Sequence, residues 1–94
     1  MPAKRPYIVL DERDNVATAI LDLQAGEKLE TEGGEITLTQ AIAYGHKFAL
    51  QDILQGDYIV KYGAQIGRAT AAISAGAHVH VHNVEDIVDE VRKK

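Results

Sequence analysis

The 94-residue sequence contains no cysteine and no tryptophan, a single phenylalanine and only two prolines. Without thiols the chain makes no disulfide, holds no zinc or iron-sulfur cluster through thiolates, and carries no cysteine nucleophile. No apolar run is long enough to cross a bilayer. The basic N-terminal stretch Met1-Pro2-Ala3-Lys4-Arg5-Pro6 is not followed by an apolar segment of signal-peptide length, so a soluble, cytoplasmic protein is expected. Positive charge is also scarce, with ten Lys and Arg against fourteen Asp and Glu, a net charge of −4. With no basic run to neutralise phosphates, nucleic-acid binding is a poor fit. Residues 1–94 are expected to form one domain, which buries a modest core but is small for a complete enzyme with a deep cleft. A module, or one part of a larger assembly, is the natural reading.

The charge that is present is unevenly placed. Up to Glu35 there are eight acidic residues against four basic ones, and from Val84 onward four against three. Between Ile36 and Asn83 the balance reverses, with Lys47, Lys61 and Arg68 against Asp52 and Asp57, and all four histidines fall in this segment. A small anion is the partner such a middle suits.

Three of those histidines occupy alternate positions in Gly76-Ala77-His78-Val79-His80-Val81-His82-Asn83. Side chains alternate across a strand, so an extended backbone puts the imidazoles on one face and Val79 and Val81 in a core. Imidazole is the commonest metal ligand and titrates nearest neutrality, so this face points to a metal or acid-base site. Residues two apart lie about 7 Å apart at Cα, so His80 and His82 can share an ion, as can His78 and His80. The outer pair is about 13 Å apart, and a third ligand has to come from elsewhere. The only other histidine is His46.

Most of the remaining chain reads as short strands. Tyr7 to Leu10 and Val16 to Leu21 flank a polar turn, and Lys28 to Thr31 with Glu35 to Leu38 form a hairpin across Gly33-Gly34. His46 to Leu50 and Tyr58 to Tyr62 are two further strands. Thr39 to Tyr44 is expected as one helical turn. Leu23-Gln24-Ala25-Gly26, Ile53-Leu54-Gln55-Gly56 and Ile73-Ser74-Ala75-Gly76 share a pattern in which a buried apolar anchor precedes a glycine of positive φ that redirects the chain. The spacing is too unequal for a solenoid. Val84, Ile87, Val88 and Val91 recur at helical spacing, so a helix is expected over about 84–92, capped by Asn83 and with Arg92-Lys93-Lys94 suiting its C-terminal dipole.

Several of these pieces occur in an order that marks a family. Gly45-His46-Lys47-Phe48-Ala49-Leu50, Asp52-Ile53, Lys61-Tyr62-Gly63, Ile66-Gly67 and Gly76 with His78 to Asn83 together resemble the N-terminal SAF-type domain of the altronate and galactarate dehydratases. They also resemble the small subunit of sulfolactate sulfo-lyase, a relative in which this domain is a separate chain. The likeness runs from about Asp14-Asn15-Val16 to Asn83.

The resemblance implies a mainly β, compact β-clip fold and a part in lyase chemistry on a sugar acid. Such enzymes remove the proton beside a carboxylate and expel the neighbouring hydroxyl, usually with a divalent metal such as Fe²⁺. A developing enolate needs cations or a metal to take up its charge, and a hydroxide leaving group needs an acid or Lewis acid. In the family most catalytic machinery lies in a large domain, so a large catalytic subunit that holds much of the metal site, and a small hydroxy-acid substrate, are the expected partners. Carried over by position, His46, His80 and His82 are the catalytic candidates, with His80 and His82 for metal. Lys47, Lys61, Tyr62 and Asn83 are expected to bind substrate, a lysine ammonium holding the carboxylate. Gly63 and Gly67 are expected to shape a tight bend, with Arg68 adding charge near it. The main reading is the small subunit of a split altronate-type dehydratase. The alternatives are the sulfo-lyase small subunit, a stand-alone module that holds a metal or carboxylate without catalysis, and an assembly element that docks through its C-terminal helix or on further copies of itself.

Overall fold

Short β-branched and alanine-rich runs separated by glycine turns give short strands, and the computed structural model, which describes residues 5–87, is built from them. Nine strands follow in chain order: β1 (Tyr7–Ile8), β2 (Val16–Ala19), β3 (Lys28–Thr31), β4 (Gly34–Thr37), β5 (Lys47–Ala49), β6 (Tyr58–Lys61), β7 (Ala64–Ala69), β8 (His78–Val79) and β9 (Val84–Glu85). They form three small sheets, in the orders β1-β2-β5-β8, β3-β4 and β6-β7-β9, with every pairing antiparallel. The mainly β expectation holds, and among the described residues there is no helix.

Sheet alternation divides the interior in two. Tyr7, Ala17 and Phe48 belong to one buried cluster with Leu38 and Ile42, and Val16, Ala49 and Val79 to the other with Ile59 and Ile73. The four-stranded sheet therefore has a core on each face. Phe48, fully buried, packs its ring edge-on to Tyr7 at 5.6 Å between centroids.

All three apolar-x-x-glycine segments become the same turn, and Ile42-Ala43-Tyr44-Gly45 is a fourth. The anchors Leu23, Ile42, Ile53 and Ile73 are buried, and Gly26, Gly45, Gly56 and Gly76 take φ between 83° and 91°. The anchors bridge in pairs, Leu23 with Ile42 and Ile53 with Ile73. An aspartate ties each pair: the amide of Tyr44 donates to Asp22 Oδ1 at 2.8 Å, and that of Ala75 to Asp52 Oδ1 at 2.9 Å. The first pair encloses the β3-β4 hairpin and the second encloses β6-β7, so residues 22–45 and 52–76 are two copies of one unit. The second is one residue longer. Its hairpin pairs Ile59 with Gly67 and Val60 with Gln65, which leaves Ile66 as the extra residue of a bulge.

Four expectations need correction. Thr39 to Tyr44 is not a helical turn, because the amide and carbonyl of Ile42 are taken by Leu23 at 2.9 and 2.8 Å. Gly67 does not make a bend. It lies inside β7, where a Cβ would come within 2.5 Å of Val84 Cγ1 and 3.0 Å of the Glu85 carbonyl oxygen, so its missing side chain lets β9 approach. Val84 and Glu85 are strand rather than the start of a helix, paired with Ala69 and Arg68, and Asn83 caps no helix there. The rest of that expected helix, from residue 88, lies outside the described residues. Val81 does not enter a core: it is 81% exposed, because the strand ends at Val79.

Candidate functional site

The turn that ends β8 is built by Asn83. Its Oδ1 accepts from the amide of His80 at 2.9 Å, its Nδ2 donates to the carbonyl of His78 at 2.8 Å, and its own amide donates to the His80 carbonyl at 3.0 Å. Both ends of the amide are thus engaged in shaping residues 80–83. His78 is held in β8, and His80 and His82 lie in the turn that follows it.

The fourth histidine then joins the other three. β5 and β8 pair Lys47 with Val79 and Phe48 with His78, and the same antiparallel register carried one residue further sets His46 across from His80. The rings of His46 and His80 stack at 4.7 Å between centroids, and His46 Nδ1 lies 2.9 Å from His78 Nε2. One of those two nitrogens is the donor, so the pair shares a proton-bearing contact. One ring nitrogen from each of His46, His78 and His80 lies within 4.8 Å of the other two, a spacing from which three imidazoles can converge on one ion. His82 stands outside this group, its ring 5.2 Å from that of His78. The cluster thus brings together His46 and His80 of the expected set, adds His78, and sets His82 beside it.

The lysines form a second group. Pleating sends Lys47 to the same side as Val79 and sends His78 to the side of Phe48, so ammonium and imidazoles leave opposite faces of the β5-β8 pair. They are still near enough for the charge of Lys47 to act on His78. Burial, then the neighbouring charge of Lys61, holds Lys47 below the usual lysine range. Two ammoniums near enough to act on one another favour a neighbouring anion. Tyr62 follows Lys61, whose Nζ is 5.5 Å from its ring centroid, and is exposed. Arg68 is turned to Tyr58, donating to its hydroxyl at 3.1 Å, with Glu85 3.9 Å away.

A cleft of about 580 Å³ is lined by residues that include Arg5, Asp11, Glu12, Asp14 and Glu32, and so borders the turn that follows Lys61, whose amides Asp14 accepts from.

Burial, the nearby His46, His82 and His80, and Lys47 all hold His78 below the ordinary histidine range. A folded-state pKa below the unfolded value means the unfolded chain binds more protons in between, so stability rises with pH through that window. The thermal midpoint of the metal-free chain is expected to fall as pH is lowered from about 7 to about 5, and His78→Gln to flatten that slope. Scanning calorimetry of both proteins across this range checks it; parallel slopes would remove His78 as the source.

Residues 5–87 match the altronate/galactarate dehydratase SAF domain. The chain belongs to that family. It is 49% identical over 77 residues to altronate dehydratase of Escherichia coli and 42% identical over 88 residues to altronate dehydratase of Bacillus subtilis. These alignments take in 82% and 94% of the chain but only 16% and 18% of those enzymes. Against the alpha subunit of (2R)-sulfolactate sulfo-lyase from Chromohalobacter salexigens it is 33% identical over 86 residues, covering 84% of the chain and 92% of that subunit. The SAF domain thus occurs both inside longer dehydratases and as a subunit of its own. No helix among the described residues is long and apolar enough to cross a membrane.

Proposed function

We propose that this SAF domain is the small subunit of an altronate-type sugar-acid dehydratase, docking on a large catalytic chain and helping to bind and enclose the hydroxy acid. The observation that carries this reading is the 49% identity to an altronate dehydratase over most of the chain. The shared segment is under a fifth of that enzyme, and this reading assigns the rest of the machinery to the large chain.

Three neutral imidazoles are a fitting donor set for a divalent first-row metal, and His46, His78 and His80 would hold it. Such an ion, when bound, supplies Lewis-acid stabilisation of charge on the substrate's oxygens. The chain's own residues supply the rest. Lys47, on the opposite face of the β5-β8 pair from the imidazoles, and Lys61 neutralise the substrate carboxylate where the hydroxy acid reaches round the β8 edge of the sheet, which keeps the adjacent C–H acidic enough to lose its proton. His82, exposed at the turn, serves as proton donor or acceptor near the leaving hydroxyl. Val81, largely exposed between two histidines, is suited to contact with the large chain.

The sulfo-lyase reading has one specific observation in its favour, since the chain spans 92% of a subunit of that enzyme. Sulfite instead of water would then leave. Tagged chain purified gently from its source cells is expected to bring down a dehydratase-like large chain in equal amount. The pair is expected to dehydrate altronate, while release of sulfite from sulfolactate would select the other substrate. Full altronate dehydration by the large chain without this subunit would end the proposal.

A further inference from the structure

Asp14 is the one buried charged side chain among the described residues. Its carboxylate is taken up by backbone amides: Oδ1 accepts from Gly63 at 2.8 Å, and Oδ2 from Tyr62 at 3.1 Å and Asp11 at 3.2 Å. Tyr62 and Gly63 have φ of 58° and 69°, and they form the two-residue turn joining β6 to β7. Turns of this kind, with both central residues at positive φ, favour asparagine, aspartate or glycine at the first position. A tyrosine there is strained, and because the residue is 67% exposed, burial does not compensate. The compensation comes from the charge-assisted bonds to Asp14.

Asn15 grips the same hairpin further back along β6. Its Nδ2 donates to the Tyr58 carbonyl at 2.9 Å, its Oδ1 accepts from the Val60 amide at 2.8 Å, and its own amide donates to the Val60 carbonyl at 3.2 Å. The backbone on either side of Lys61 is therefore pinned, at Val60 by Asn15 and at Tyr62 by Asp14. An exposed tyrosine in a strained turn beside an ammonium is placed where a ligand can reach both groups. Phenol and ammonium together suit a hydroxylated carboxylate, the ammonium taking the charge and the phenol a hydroxyl.

We propose that Asp14 is a positioning residue for the carboxylate site, holding the turn that presents Lys61 and Tyr62 to a hydroxy acid. The proposal rests on the reading of the lysines as carboxylate-binding, and it gives Tyr62, already expected to bind substrate, the role of distinguishing a hydroxylated ligand. Asp14 and Asn15 thereby do for the lysine face what Asn83 does for the histidine face.

The test uses the full chain, followed by NMR while D-altronate is titrated, with Zn²⁺ titrated separately. Asp14→Asn removes one acceptor oxygen and is expected to weaken the altronate response at Lys61 and Tyr62 about tenfold, leaving the Zn²⁺ response of the histidines unchanged. Tyr62→Gly is expected to raise the melting temperature while weakening altronate binding, since glycine suits the turn and has no phenol. A merely structural aspartate would lower both responses together, and that result would overturn the proposal. So would a Tyr62→Gly chain that binds altronate as the native chain does, which decides the matter even if the Asp14 variant does not fold. If the native chain shows no response to altronate, the carboxylate reading falls and this proposal with it. A native response that both variants retain ends this proposal alone.

Discussion

Gly76→Ala is expected to lower the stability of the chain by about 3 kcal/mol, read as a shifted urea midpoint at unchanged slope. Gly76 has φ of +86°, where a Cβ costs about 1–2 kcal/mol through its contact with the following carbonyl. The larger part comes from its neighbours. A Cβ there would overlap the carbonyl oxygen of Thr37 and lie 2.9 Å from its carbon and 3.3 Å from Leu38 Cα. All three are backbone atoms, which no rotamer change can move aside. Gly76 also joins the two copies of the folding unit, receiving the amide of Thr39 on its carbonyl at 3.1 Å and donating its own amide to Ala49 at 2.8 Å. Gly56 is the built-in control: its φ is +91° and nothing lies within 4 Å of a Cβ, so Gly56→Ala is expected to cost only the strain, about 1 kcal/mol. Equal losses in the two variants would show that the contact with Thr37 is not what fixes Gly76.

These glycines were legible because their signal is local. An apolar anchor three residues ahead of a glycine specifies a turn without reference to the rest of the chain, as Leu23, Ile53 and Ile73 do. The β3-β4 hairpin was legible for the same reason. The fourth turn, Ile42 to Gly45, hid inside a stretch whose composition allowed a helical turn. Its extended form follows from Leu23, nineteen residues earlier in the sequence, which takes both backbone bonds of Ile42. Val84 and Ile87 carry a helical spacing that a strand partner overrode. The free edge of β7 offers Arg68 and Ala69 as partners, and Gly67 clears the space for Val84 to reach them.

The candidate site divides along the same line. Alternation of His78 with Val79 is a local property, and the buried Val79 and half-exposed His78 follow it. Beyond Val79 alternation fails, because the Asn83 side chain offers the backbone a tighter closure than an edge strand with no second partner. That closure brings His80 back toward His46, so the imidazole group draws on two strands. The charge reversal between Ile36 and Asn83 did foreshadow the lysine pair. Asp14 gave no such signal: an acidic residue in an acidic stretch looks solvated until the turn that uses it, forty-eight residues on, is folded over it.

The imidazole group makes the sharpest chemical prediction. Titrated with Zn²⁺, or with Co²⁺ for its visible spectrum, the chain is expected to bind one ion, more tightly than it binds Mn²⁺ as the order of divalent affinities dictates. Because the three ring nitrogens already lie within 4.8 Å of one another, little backbone has to move to close the site. His46→Ala removes a ligand that arrives from a different strand and leaves the turn of residues 80–83 untouched. Two imidazoles joined by one short stretch of chain remain, and affinity is expected to drop about a hundredfold, close to 3 kcal/mol. His78→Ala should do the same, with a further loss of packing against the His46 ring. His82→Ala is the comparison, since His82 lies outside the group and its removal is expected to change affinity by less than about threefold, under 1 kcal/mol. If His82→Ala abolished binding while His46→Ala did not, the ion would belong to His80 and His82 across the turn, and the antiparallel register that sets His46 opposite His80 would have no part in holding it.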